Sequence, residues 1–321
     1  MGLWNILFNF ATLNQFFPKM KNGIVGHLCA LLVVAVWGTT FISSKVLLND
    51  GLMPAEIFFF RFSMAYICLC LFSHDKLWAD NWKDELALVG LGVLGGSLYF
   101  MTENQALIYS TASNVSILVS TTPLLTALLV AIFYKNERMN MIQVGGSLMA
   151  FVGVVLVVLN GQLILHLNPK GDLLALAASL TWAFYSLDMR RIMARYSSKF
   201  ITRKVFGYGL LTILPYFALV HPIDHTFGQL LKPVVVGNLL YLGICASTGG
   251  YLVWNWVMQK LGTVKSTNYI YTQSLVAMLA AALILDERIT PMAVIGAVVL
   301  ISGMVIAQKN KKKLKTAVSQ N

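Results

Sequence analysis

Trp37, Thr40, Phe41 and Ser44 fall at i, i+3, i+4 and i+7, which places two aromatic rings and two hydroxyls on one face of a helix. Trp182, Tyr185, Ser186 and Met189 repeat the same offsets later in the chain. Aromatic walls with hydroxyls between them suit noncovalent binding of a small polar or amphipathic solute. Gly96, Tyr99 and Glu103 form a second stripe, and Tyr251 with Asn255 repeats its last two members. Asn114, Asn268 and Gln273 add amides, and each of these residues lies in an otherwise apolar stretch. The same holds for the ionisable Lys45, Arg61 and Glu103. Charged groups in such stretches are costly and usually face the protein interior, paired or functional. The three are expected to form one cluster at a common depth, acting as a gate or a coupling site. Pro123 removes a helix hydrogen bond and frees the carbonyl of Val119, either as an acceptor for a ligand or as a plain kink.

Bond-breaking chemistry has no comparable signature. The five His show no HExxH spacing, and Cys29, Cys68, Cys70 and Cys245 are scattered without CxxC, so they read as small packing residues and no metal is expected. A GxSxG motif and a Gly-rich phosphate loop are both missing, and so is a soluble stretch long enough for an active site. No organic cofactor is expected. A membrane-embedded enzyme would need facing carboxylates or His at one depth, and a channel would conduct without saturating; both stay as alternatives.

The elements that must position these residues are spanning helices. Hydrophobic residues make up 57% of the chain and charged ones 12%, with a mean hydropathy of +0.71, outside the usage of soluble domains. Runs long enough to cross a bilayer recur at roughly 24–48, 54–73, 85–104, 110–133, 139–159, 172–189, 202–220, 234–257, 266–285 and 291–307, an expectation of ten transmembrane helices in an all-α integral membrane fold. Both tryptophans count out near the middle of their spans, where interfacial anchoring does not account for them. They are the first candidates for cavity walls, and packing between helices with a bonded N–H is the alternative.

With the N-terminus inside, all Lys and Arg fall on the cytoplasmic side except Lys170, Lys232 and Arg288 outside and Lys45 and Arg61 within spans. Both termini are therefore expected in the cytoplasm, in a multi-pass protein of the cytoplasmic membrane. The formal charge of +11 is then a topology signal rather than a nucleic-acid footprint. The partners implied are a small-molecule substrate and the lipid bilayer. Residues 1–21 form an aromatic, Asn-rich cytoplasmic or interfacial segment; residues 1–19 are expected to be dispensable, with Met20 as an alternative start. Residues 309–321 form a basic tail.

Self-similarity organises the spans. A shift of 150 carries Asn136-Glu137-Arg138 onto Asp286-Glu287-Arg288, Gly146 onto Gly296 and Gly153 onto Gly303. A shift of 152 carries Gly96, Tyr99 and Glu103 onto Thr248, Tyr251 and Asn255, and a shift of 145 carries Trp37 onto Trp182. The chain reads as two five-helix units, 22–159 and 171–308. An odd number of spans per unit requires opposite insertion, the inverted arrangement of many secondary carriers. Small residues, among them Gly90, Gly92, Gly95, Gly96, Gly145, Gly146, Gly153, Gly243, Gly249, Gly250, Gly296 and Gly303, are expected to let helices approach.

Trp37-Gly38-Thr39-Thr40-Phe41 with Lys45, Arg61-Phe62, Asn136-Glu137-Arg138, Gly171-Asp172-Leu173-Leu174-Ala175-Leu176 with Trp182, and Asp286-Glu287-Arg288-Ile289-Thr290-Pro291 together resemble the EamA repeats of the drug/metabolite transporter superfamily, over about residues 22–308. That resemblance implies ten helices around a central cavity and export of amino acids or other metabolites, with the substrate left open.

Overall fold

A chain this apolar must satisfy its backbone polar groups internally, and helices do so within a single segment. The computed structural model describes residues 22–72, 76–134, 139–159, 168–220, 222–223, 230–284 and 289–308, and among them no strand occurs. In chain order the helices are α1 (Asn22–Asn49), α2 (Pro54–Phe72), α3 (Trp82–Tyr109), α4 in two pieces (Ala112–Val119 and Thr122–Phe133), α5 (Met141–Leu159), α6 (Pro169–Ile192), α7 (Ser198–Leu219), α8 (Pro233–Leu261), α9 in three pieces (Thr263–Thr267, Asn268–Thr272 and Gln273–Ile284) and α10 (Pro291–Ala307). Each predicted apolar stretch is mainly helical over its described residues. Six helices, α1 to α5 and α8, are long and apolar enough to cross a membrane, and α10 is apolar but shorter. Charge separates α6 and α7 from that group: α6 carries Asp172, Asp188, Arg190 and Arg191, and α7 carries Lys199, Arg203 and Lys204. The protein is an all-helical, multi-pass membrane protein.

Local chemistry sets the helix ends. Asn81, Thr111, Asn168, Ser197 and Thr290 each cap a helix start with a side-chain oxygen. Caps at Asn81 and Asn168 start α3 and α6 three residues earlier than hydropathy alone places them. Gly262, at φ 84°, makes the turn from α8 into α9 that a side chain would strain.

The two repeats meet in matched pairs. A Cβ on Gly146 would lie 2.5 Å from the nitrogen of Ala307, and one on Gly303 would lie 2.3 Å from that of Ala150. On Gly153 it would meet the nitrogen of Leu300 at 2.3 Å, and on Gly296 that of Val157 at 2.7 Å. Rising numbers on α5 thus meet falling numbers on α10, so these repeat-related helices cross antiparallel, with Gly146 against Gly303 and Gly153 against Gly296. Each repeat also widens its third helix into a π-helical turn, at Val93–Ser97 in α3 and Tyr241–Gly249 in α8. Packing is not the role of every glycine: Gly90 and Gly145 have nothing within 4 Å of an added Cβ, because they face away from the bundle. The Asn-Glu-Arg and Asp-Glu-Arg signatures, residues 1–19 and the basic tail lie outside the described residues.

Candidate functional site

The bundle has two ends. Asn22, Phe72, Trp82, Arg195 and Leu261 mark the near end; Asn49, Pro54, Tyr109, Pro169 and Lys232 mark the far end. Middle and far halves of α1, α2, α3, α4, α6, α8 and α9 enclose a cavity of about 430 Å³, counting its mouth. Its lining is Trp37, Thr40, Phe41, Arg61, Tyr99, Phe100, Glu103, Val119, Thr122, Trp182, Tyr251, Ile270 and Gln273.

The floor is aromatic and comes from both repeats. The rings of Trp37 and Trp182 meet edge to face at 5.3 Å. Trp182 lies 4.9 Å from Tyr99 and Trp37 lies 5.8 Å from Tyr251, one contact seen once from each repeat. Trp37 Nε1 donates to the carbonyl of Ala246 at 2.9 Å.

Above this floor stand two opposite charges. Arg61 is 2% exposed; its Nε donates to Ser247 at 2.9 Å and its guanidinium lies 4.2 Å over the ring of Phe100. Glu103 is 6% exposed and accepts from the Tyr99 hydroxyl at 2.7 Å. Arg61 and Glu103 feel each other's field but form no ion pair. Lys45 does not join them. Its ammonium donates to the carbonyls of Leu107 and, at 3.4 Å, Ser110, capping the C-terminal end of α3. The expected three-member cluster is thus a two-member one, because the end of α3 offers Lys45 carbonyls that its ammonium binds.

Other expected site residues serve the frame. The Tyr185 hydroxyl donates to Asn255 Oδ1 at 2.9 Å, and Asn255 Nδ2 donates to Thr202 at 2.9 Å, a buried chain that ties α6, α8 and α7 on the near side of the cavity. Asn114 donates to Ser110 and to Asp172 at 2.6 Å, joining α4 to α6 at the far end. Gly96 leaves helical geometry, with φ −125° and ψ −105°, as part of the π-helical turn, and it packs against Gly209 rather than opening the cavity. Ser44 is buried off the cavity wall, and Asn268 is buried with neither side-chain polar atom bonded. The Val119 carbonyl freed by the break before Pro123 accepts from the Thr122 hydroxyl at 2.7 Å, so it is already occupied.

Phe100 and Ile270 reach the cavity without having been expected there, and Thr122 joins them as one of the span-4 hydroxyls whose face should look inward. Thr122 follows Val119 by three residues, a spacing visible in the sequence; Ile270 carries no signal, since an apolar residue in an apolar helix is silent.

The near end is closed. Asp84, in the first turn of α3, accepts from Arg195 at 2.9 Å and from the Tyr196 hydroxyl at 3.0 Å. Glu85 accepts from Lys204 and Tyr208 of α7. Outside the spans, hydrogen bonding from Lys76 holds the Asp80 carboxyl below its ordinary range. Among the described residues, no group of His, Cys, Asp and Glu could hold a metal ion, and the four cysteines are free.

Comparison with known proteins agrees with this architecture. The EamA-like transporter family matches twice, over residues 24–159 and 169–307. An uncharacterized transporter of Archaeoglobus fulgidus is 29% identical, covering 87% of this chain and 95% of its own. A probable amino-acid metabolite efflux pump of Escherichia coli is 26% identical over 89% of this chain and 94% of its own. A probable terminal-alkyne amino-acid exporter of Streptantibioticus cattleyicolor is also 26% identical, over 87% and 92%. A solved crystal structure superposes with a TM-score of 0.66 at 19% identity, covering 88% of this chain and 96% of that one, a likeness of fold. With two matches that fall on the two units joined through α5 and α10, the chain belongs to the EamA-like transporter family.

Proposed function

We propose that the protein is a secondary carrier that exports a small zwitterionic metabolite of the amino-acid type by alternating access, with ten spans in two inverted repeats and both termini in the cytoplasm. The observation that carries this reading is the cavity holding Arg61 and Glu103 unpaired with each other above an aromatic floor. Arg61 faces the solute's carboxylate and Glu103 its ammonium, while Trp37, Thr40, Tyr99, Trp182, Tyr251 and Gln273 take the remainder. Ser44, Gly96, Asn114, Tyr185, Asn255 and Asn268 shape the frame, and Lys45 holds the end of α3. Antiparallel crossing of α5 and α10 supports the inverted arrangement, because exchanging the two repeats' conformations moves the opening from one end to the other. Arg190, Arg191, Arg195, Lys199, Arg203, Lys204, Lys260 and Lys265 gather toward the near end and support its placement in the cytoplasm. Two relatives named as an amino-acid efflux pump and an amino-acid exporter support the solute class.

Purified protein in liposomes tests this. Uptake of labelled L-leucine should saturate, and unlabelled leucine trapped inside should drive counterflow. Flux that rises without saturating would replace the carrier with a channel.

A further inference from the structure

The two tryptophans that meet on the cavity floor are repeat mates, yet their indole N–H groups differ in circumstance. Trp37 Nε1 donates to Ala246, whose carbonyl lies in the π-helical turn Tyr241–Gly249 of α8. Such a turn breaks the regular ladder and leaves carbonyls available. The indole reaches it because residue 250 is glycine: a Cβ there would lie 2.6 Å from Trp37 Nε1. The matching place on α3, 152 residues earlier, has Leu94 for Ala246 and Leu98 for Gly250. Leu98 is 43% exposed and turned outward, and the glycine gap of this turn, at Gly95, is filled by the Tyr185 ring, 2.3 Å from where a Cβ would stand. Trp182 therefore has no equivalent seat, although α3 has its own π-helical turn. Trp182 is 5% exposed, its Nε1 is buried without a hydrogen-bond partner, and its ring lines the cavity. Tyr99, Tyr185, Trp37 and Tyr251 surround that ring, with centroids 4.9, 5.0, 5.3 and 5.6 Å away. A buried donor is rarely left unmade unless something outside the protein fills the position.

We infer that the Trp182 Nε1–H is a solute-recognising donor, paired in the loaded carrier with a carboxylate or carbonyl oxygen of the solute, while Trp37 is a fixed strut holding α1 to α8. An indole N–H can only donate, so the group it recognises is an acceptor. With Arg61 on the same cavity, the solute's oxygen end meets two donors of different kinds. The inference rests on the carrier reading for its solute and, for its residue, on the unpaired Nε1 of Trp182 in the cavity wall beside the bonded Nε1 of Trp37.

Trp182→Phe and Trp37→Phe remove the same atoms from each mate, so their comparison isolates the N–H. In thermal unfolding of the full chain, Trp37→Phe should lower the Tm by about 3 °C more than Trp182→Phe, since only Trp37 loses a bond. In liposomes, Trp182→Phe should raise the KM for L-leucine about tenfold, the range of one hydrogen bond to a charged group. Inhibition of leucine flux by 4-methylpentanoate, which keeps the carboxylate, should weaken equally, and inhibition by 3-methylbutylamine, which lacks it, should not change. Equal Tm losses, or an unchanged leucine KM with unchanged inhibition by 4-methylpentanoate, would overturn the inference. Where Trp182→Phe fails to fold, benzothienylalanine at position 182 keeps the ring shape without the N–H and makes the same comparison. Wild-type protein that carries and binds none of the three probes would sink the amino-acid reading, and the Tm comparison would still decide whether Trp182 lacks a partner that Trp37 has.

Discussion

Arg61 and Glu103 face one cavity from neighbouring helices, yet each is held by a different residue: Arg61 by Ser247 at 2.9 Å and Glu103 by Tyr99 at 2.7 Å. Had they met, their charges would have cancelled and the cavity would present a closed ion pair. Held apart, the guanidinium and the carboxyl group both line the cavity without closing on each other. Their repeat counterparts do not reproduce this. At the position matching Glu103 the second repeat has Asn255, which is consumed in the bridge between Tyr185 and Thr202.

Glu103→Gln keeps the side-chain shape and an acceptor for Tyr99 while removing the charge. For a zwitterionic solute it should raise KM at least about tenfold at unchanged abundance, the range of a charge-assisted bond. A pH dependence of wild-type flux that flattens in this variant would assign Glu103 to proton coupling as well. Normal abundance with normal flux at every pH would remove Glu103 from the mechanism.

Lys45→Met separates a structural cation from a solute-facing one. Its ammonium caps the last turn of α3, a contribution of roughly 0.3–1 kcal/mol. The variant should melt slightly earlier with an unchanged leucine KM, whereas Arg61→Met should raise that KM. A Lys45→Met effect on KM as large as that of Arg61→Met would restore the three-member charged cluster.

The near-end closure predicts a conformational effect. Asn255→Ala strands the Tyr185 hydroxyl, while that of Thr202 keeps its bond to the Ser198 carbonyl, at a cost of roughly 1–3 kcal/mol for one buried group left unpaired. The loss weakens the end of the bundle that is shut. A cysteine placed at Ser186, buried in α6, should then react faster with maleimide in the Asn255→Ala background than in the parent. Equal labelling rates would show that this bridge does not hold the near end closed.

The sequence reading located what periodicity can carry and lost what depends on register between helices. The i, i+3, i+4, i+7 stripes and the midspan depth made Trp37 and Trp182 candidates for cavity walls, and the structure adds that their two rings meet. Tyr185 and Asn255 sit on the predicted stripes, yet each has the other as its partner. No one-dimensional pattern reveals that a tyrosine and an amide from α6 and α8 lie at one height. Lys45 was misplaced for a related reason: its depth matched Glu103, but its reach ended at the carbonyls of Leu107 and Ser110. The π-helical turns were also invisible, because their residues are as apolar as the helix around them. The double glycine repeat was legible, and its two neighbours Gly145 and Gly146 show where that legibility stops.

Gly145 and Gly146 are adjacent on α5, and composition alone treats them alike. A Cβ on Gly146 would lie 2.5 Å from the nitrogen of Ala307 and 2.9 Å from the carbonyl oxygen of Gly303, both backbone atoms of α10 that no side-chain rotation can move. A Cβ on Gly145 would meet nothing within 4 Å. Alanine is a better helix former than glycine by roughly 1 kcal/mol, so Gly145→Ala should leave the protein as stable as before or raise its Tm. Gly146→Ala gains the same propensity but must push α10 outward, and overpacking of that kind costs roughly 1–3 kcal/mol. Its Tm should therefore fall below that of Gly145→Ala. The crossing also joins the two repeats, so a displaced α10 should reduce flux in Gly146→Ala even among molecules that remain folded. Equal Tm values and equal flux for the two variants would mean that α5 and α10 do not approach at Gly146 as closely as described, and would remove the antiparallel glycine crossing as support for inverted repeats.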